Sequence, residues 1–213
     1  MRGDAAPQDW RRWITARLDP LDAVVANHAC DQDPQASEMA GKDFAFAAVL
    51  IAVVEHPEGP SVIFTRRAST LRKHTGQVAF PGGRCDPGET VCDTALREAQ
   101  EEIGLDPALV TLAGLCSPYR TGTGYHVTPV LGFVEPGFTL TPNPHEVALI
   151  FETPWDFLMD LVNHEEREGE FPSGVKRRYT AITWQDELIW GATAGMVRAL
   201  HRRLYGAHAV AEP

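Results

Sequence analysis

One stretch of this chain leaves little freedom in how it folds and what it faces. A glycine-punctuated segment, Gly76 to Gly88, runs into a helix that starts near Glu89 or Thr90 and ends at Gly104. With about 100° between successive helical residues, Glu98, Glu101 and Glu102 share one face. Cys92, Leu96, Ala99 and Ile103 cluster on another, more than about 100° away, and form the predicted core stripe. The helix therefore buries one side and presents three carboxylates together on the other. Like charges at that spacing repel one another. Gly104 suits the left-handed residue that follows a helix, which puts the carboxylates toward the negative end of the dipole. A divalent cation among them resolves the repulsion. Oxygen donors with no Cys or His pair nearby select a hard ion, Mg²⁺ or Mn²⁺. Arg97 lies just off the acidic face, within reach of Glu89 at the helix start. Gly82, Gly83 and Gly88 let the preceding loop turn tightly and bring its backbone close to a ligand.

The spacing of Gly83, Glu89, Arg97, Glu98, Glu101, Glu102 and Gly104, with apolar Ala99 and Leu105, resembles the Nudix box, G-x5-E-x7-R-E-U-x-E-E-x-G-U with U apolar. A chance match to all the fixed positions has a probability on the order of 10⁻⁸ per window, so a surface helix that merely carries charges is a poor alternative. The resemblance implies an α/β fold, the family's α/β/α sandwich with a mixed β-sheet, and a metal-dependent hydrolase of nucleoside diphosphates linked to another moiety. It also implies that Glu98 and Glu102 are metal ligands, with Glu101 a third ligand or the general base. Glu146 stands where many members of the family supply a late metal-binding or base glutamate; a surface residue before an apolar segment is the competing reading.

Upstream of the box, Thr65-Arg66-Arg67-Ala68, then Arg72, Gly76 and Phe80-Pro81-Gly82-Gly83, is similar to the signature of the coenzyme A pyrophosphatases, L-L-T-x-R-[SA]-x3-R-x3-G-x3-F-P-G-G. Its opening Leu-Leu is replaced here by Ile63-Phe64. Gly124–Val130 and Ile189–Gly195 also resemble that subfamily, so the likeness extends from about Phe44 to Leu204. It implies cleavage of coenzyme A or its thioesters to adenosine 3′,5′-bisphosphate and (acyl-)4′-phosphopantetheine. Between Ser61 and Arg84 stand five basic residues, Arg66, Arg67, Arg72, Lys73 and Arg84, with His74 and no acid. Coenzyme A carries a pyrophosphate and a 3′-phosphate, and the planar fork of arginine suits such groups. Arg67, Arg72, His74, Gly82 and Gly83 are thus the expected substrate-binding residues. Taken singly, each arginine also fits a solvated strand end, and His74 fits loop packing equally well. A Nudix hydrolase for ADP-ribose, a dinucleotide or a nucleoside triphosphate is the alternative enzyme. A nucleotide-sensing domain is the non-catalytic alternative, although such a module would be expected to have lost box carboxylates.

The rest of the chain fits one layered domain. Its 213 residues, 44% hydrophobic, suffice for a single core. Strands are expected at Phe44–Val54, Ser61–Thr65, Thr111–Ser117, Val127–Val134 and Tyr179–Trp184. Helices are expected at Trp155–Val162, with Pro154 at the first helical position, and at Asp186–Leu204. Glu146–Glu152 fits strand or helix. Two short helices broken at Asp19–Pro20 are expected in Gln8–Ala26, and a loop at 27–42. The helix carrying Trp10, Trp13, Ile14 and Leu18 packs on the domain or forms a homodimer contact. Residues 1–42 thus read as a helical extension and loop, 43–205 as the Nudix domain and 206–213 as a tail. Trp155, Trp184 and Trp190 are expected in the core. No apolar run is long enough for a membrane span, and the N-terminus lacks a signal-like apolar segment. With four unpatterned cysteines, this reads as a reduced cytoplasmic protein.

The net charge of −10 argues against a nucleic-acid or membrane partner. It does not exclude a small polyanionic nucleotide. Residues Cys85 to Asp106 hold seven acids against Arg97 alone, directly after the cationic segment. A bound cation would complete the charge of that acidic helix.

Overall fold

The computed structural model describes residues 7–23, 31–32, 44–68, 76–170 and 176–206. In chain order the elements are α1 Pro7–Thr15, β1 Asp31–Gln32, β2 Ala45–His56, β3 Gly59–Arg67, β4 Val78–Ala79, β5 Gly82–Arg84 and α2 Val91–Ile103, followed by β6 Val110–Leu115, β7 Tyr119–Arg120 and β8 Tyr125–Val134. Next come β9 Val147–Pro154, α3 Trp155–Met159, β10 Glu165–Glu170, β11 Lys176–Trp184, β12 Glu187–Trp190 and α4 Gly191–Tyr205.

The apolar run of β2 organises everything else. Its side chains alternate between two cores, as a strand covered on both faces requires. Ala47, Val49, Ile51 and Val53 join Ile14, Trp155, Leu158, Val197 and Leu200 beneath α1, α3 and α4. Ala48, Leu50, Ala52 and Val54 join Ala95, Ala99 and Ile103 of α2 on the opposite face. The result is the expected α/β/α sandwich. The sheet is mixed: β2 runs parallel to β8 and antiparallel to β3 and β5. A second sheet, ordered β10-β11-β12, is antiparallel throughout. Among the described residues no helix is long and apolar enough to cross a membrane.

Several elements differ from expectation. Asp186–Leu204 is not one helix. Gln185, at φ 51°, turns β11 back into β12, and the helix begins only at Gly191. The reason is a short period-two pattern, with Glu187 and Ile189 buried and Leu188 and Trp190 half-buried. The ambiguous Glu146–Glu152 segment is strand β9 from Val147, paired with β3. Pro154 ends that strand instead of opening the helix, and α3 stops at Met159 before a 3₁₀ turn, Leu161–Asn163. Strand β10, EEREGE, has no apolar alternation to betray it; opposite charges face each other in register at Glu168 and Arg178. Beyond α1 the chain makes a turn, and Asp19 pairs with Leu115 where a second helix was expected. Within the expected loop 27–42, Asp31 and Gln32 pair with β7; the remainder up to residue 43 lies outside the described residues. Of the tryptophans, Trp155 is fully buried, whereas Trp184 and Trp190 are half-buried against Phe157 and Tyr179.

Trp10 packs against Phe133 and Trp155, which seats α1 on the domain's own core. At the centre of that core Phe64 stacks on Phe80 and Phe151 with no exposed surface. Phe64→Ala should lower stability by about 3–5 kcal/mol in urea denaturation, because the surrounding strands hold the cavity open. A loss below about 1 kcal/mol would mean that this ring layer is not the centre of the fold.

Candidate active site

Helix α2 is built to hold its flank in one orientation. Thr90 caps it reciprocally with Asp93, and Gly104, at φ 68°, closes it in the left-handed conformation. Ala95 takes the sheet-facing place expected of Leu96, which is only half-buried. The small side chains of Ala95 and Ala99 bring the helix close to the strands, and this rotates its acidic face. Glu98 and Glu102 lie along the edge of the buried stripe, with side chains 15% and 4% exposed. Glu101 points outward at 57%.

Arg97 fastens the loop before the helix. Its Nε donates to Glu89 Oε1 at 2.6 Å and its Nη2 to Glu89 Oε2 at 3.0 Å. The same guanidinium donates to Glu98 (2.8 Å), Glu101 (3.2 Å) and the carbonyl of Arg84 (3.3 Å). Glu89 also accepts from the Asp86 N–H and the Thr94 hydroxyl. Arg97 first, then those two donors, hold the Glu89 carboxyl down at about 2. It is therefore a permanent anion, serving the loop.

Glu102 is the opposite case. Burial pushes its carboxyl up to about 7, offset only partly by the Arg67 guanidinium, 3.8 Å away, and the Gly82 N–H, which donates at 3.3 Å. Glu98 and Glu146 add further repulsion. Burial raises Glu98 as well, against the pull of Arg97. A Cβ at Gly83 would sit 2.4 Å from Glu98 Oε1, so glycine is required for that carboxylate to rest against β5. At Gly82 a Cβ would strike the backbone of Ala48 and Val49.

The structure thus gathers Glu98, Glu102, Glu146, Arg67, Gly82 and Gly83 at one place. Glu101 stays on the rim with Arg97. Arg72 and His74 lie outside the described residues. Arg66, from the same cationic segment, is tied to Glu187 at 2.6 Å and braces β3 against β12. Reading the sequence missed Asn143, whose backbone N–H caps the carbonyl of Glu102 at 2.8 Å and whose amide reaches Glu146. The Asn-Pro dipeptide was the available signal. A hard divalent cation fits this donor set. Glu102 has the Arg67 guanidinium no nearer than 3.8 Å, and Glu98 receives an Arg97 that it shares with Glu89 and Glu101, so the pair is short of positive charge. As the side chains stand, no three His, Cys, Asp or Glu groups converge to hold a metal among the described residues.

Residues 45–173 match the NUDIX domain family. The chain is 39% identical over 159 residues to an uncharacterized Nudix hydrolase, NudL, of Yersinia pestis (strain Pestoides F), covering 74% of this chain and 79% of the relative. NudL of Yersinia pseudotuberculosis serotype O:1b matches to the same extent. Solved structures resemble it more loosely. A Nudix hydrolase from Nitrosomonas europaea has a TM-score of 0.46 and 17% identity, over 81% of this chain and 76% of that one. An Ap4A hydrolase of C. elegans has 0.46 and 19%, over 55% and 83%.

Two outcomes follow from the geometry. Folded Glu102 keeps its proton up to about 7, whereas the unfolded chain releases it near the ordinary 4.5. Between those values the folded state binds more protons, so metal-free stability falls as pH rises through the window. Chemical denaturation in EDTA should show this decline, and Glu102→Gln should flatten it; an equal slope in both proteins would contradict the burial of this carboxylate. Gly83→Ala should leave Tm within about 3 °C, because the flexible Glu98 side chain can swing aside. Its kcat should nevertheless drop by about 10²-fold or more, as Glu98 leaves its place. Full activity in that variant would remove Glu98 from the site.

Proposed function

The chain belongs to the Nudix hydrolase family and is a pyrophosphohydrolase, and from that premise we propose that it cleaves the pyrophosphate of coenzyme A or its thioesters. The products are adenosine 3′,5′-bisphosphate and (acyl-)4′-phosphopantetheine. The observation that carries this reading is Arg67. Its side chain stands 3.8 Å from the buried Glu102, and its Nε is buried without a hydrogen-bond partner among the described residues. A buried guanidinium N–H left unpaired is costly, and a phosphate oxygen is the acceptor that suits it. The cationic segment upstream, with its likeness to the coenzyme A pyrophosphatase signature, supports a substrate richer in phosphate than ADP-ribose.

Glu98 and Glu102 would hold Mg²⁺ or Mn²⁺, with Glu101 a third ligand if it leaves Arg97. When bound, such an ion would neutralise charge on the pyrophosphate and make a water molecule more acidic. The protein's own groups do the rest. Arg67 binds and orients a phosphate. Gly82 and Gly83 let β5 close against β2 and against the Glu98 carboxylate, and the Gly82 N–H steadies Glu102. Glu146 takes the proton of the attacking water at its carboxylate, a contribution of about 10²–10⁴-fold. Glu101 is the weaker candidate for that base, because Arg97 holds it at the exposed rim.

Comparison of kcat/KM for coenzyme A, dephospho-coenzyme A and ADP-ribose tests the substrate. Coenzyme A should exceed ADP-ribose by at least about tenfold, and Arg67→Ala should lose about 10-fold or more on coenzyme A. Preference for ADP-ribose would overturn the proposal. Equal rates with and without the 3′-phosphate would remove that group from recognition.

A further inference from the structure

The carboxylate proposed as base sits on a loop, and loops do not hold a side chain in place unaided. Residues 143–146 form a tight turn. The N–H groups of Glu146 and Val147 both donate to the Asn143 carbonyl, at 3.0 and 2.8 Å. The His145 N–H donates to Asn143 Oδ1 at 3.2 Å. Pro144 suits the second position of such a turn because its φ is already set. Asn143 also looks outward from the turn. Its own N–H donates to the Glu102 carbonyl at 2.8 Å, capping the last turn of α2. Its Nδ2 is 3.5 Å from Glu146 Oε1. On the far side, the Ala68 N–H, next to Arg67, donates to the Glu146 carbonyl at 2.8 Å. A single residue therefore connects the helix bearing Glu98 and Glu102, the loop bearing Glu146, and through Glu146 the strand end bearing Arg67.

We propose that Asn143 is a positioning residue for the hydrolysis: its backbone fixes the loop to α2, and its side-chain amide aims the Glu146 carboxylate at the Glu98–Glu102 pair. This rests on the reading of Glu146 as the base. The amide is suited to the task. It accepts the turn N–H through oxygen and donates to the carboxylate through nitrogen; an ionised carboxylate cannot donate, and a serine hydroxyl, with one short-reaching atom, cannot span both partners. The donor holds an anion beside two other anions without adding to the repulsion.

Two variants separate positioning from turn formation. Asn143→Asp keeps the acceptor for the His145 N–H but sets a second carboxylate against Glu146. Asn143→Ser keeps a turn-forming oxygen that is too short to reach Glu146. Both should lower kcat by about tenfold or more with KM within about twofold, at nearly unchanged Tm. Combined with Glu146→Gln, neither should cost much beyond Glu146→Gln alone, since Asn143 acts through that carboxylate. Wild-type kcat in both turn-preserving variants, or fully additive losses in the double variants, would overturn the proposal. Glu146→Gln at wild-type kcat would instead overturn the reading of Glu146 as base and take the proposal with it, so the two failures are distinguishable.

Discussion

The buried carboxylate of Glu102 is the constraint on which the rest of the site depends. A carboxylate taken out of water needs opposite charge or several donors, or it keeps its proton. Here it has one backbone N–H and a guanidinium at 3.8 Å, and its carboxyl is pushed up to about 7. An inward-facing glutamate that is only half compensated is a poor choice for stability. It is a good one for receiving a cation, which would bring the missing positive charge to Glu102 and to Glu98 alongside. The surrounding structure reads as what keeps that arrangement from relaxing. Alanines bring α2 down onto β2, glycines make space on β5, and Asn143 closes the end of the helix.

Arg97 shows how the chain divides labour among acids that look alike. Glu89, Glu98 and Glu101 all touch its guanidinium. Glu89 receives the two-pronged contact and becomes a fixed anion that locks the loop. Glu98 is bonded to it at one oxygen only, and burial raises its carboxyl against the pull of the arginine. Glu101 stays largely in water. One cation thus sorts three carboxylates into a structural tie, a mostly buried partner beside Glu102 and a rim residue. The net charge of −10 reveals none of this. The cationic strand end and the acidic helix face each other across a few ångströms, and their signs cancel only locally.

Much of this was legible in the sequence because it rests on period and spacing. The continuous apolar run of β2, the three carboxylates on one helical flank, Gly104 at the helix end and the glycines before the box all follow from local geometry. The unequal burial of the glutamates did not, because it depends on how deeply α2 sinks, and that is set by Ala95 rather than by the expected Leu96. Likewise β12 resembled the start of a helix because Leu188, Ile189 and Trp190 are all large and apolar; the turn at Gln185 and Asp186 makes them a strand returning along β11, and the helix begins at Gly191. Arg66 and Arg67 are indistinguishable by composition. The strand's two faces send one to Glu187 and the other to Glu102. Asn143 escaped notice because the reach of its amide to Glu146 and of its N–H to the Glu102 carbonyl exists only once the loop meets α2.

The central claim is that the buried pair, Glu98 and Glu102, forms a site that a divalent cation completes. Its most direct test is Mn²⁺ binding to the substrate-free protein, followed by isothermal titration or electron paramagnetic resonance. The account predicts that Glu98→Gln and Glu102→Gln each weaken binding by at least about tenfold while Glu101→Gln changes it less. Wild-type Mn²⁺ affinity in Glu102→Gln would contradict it.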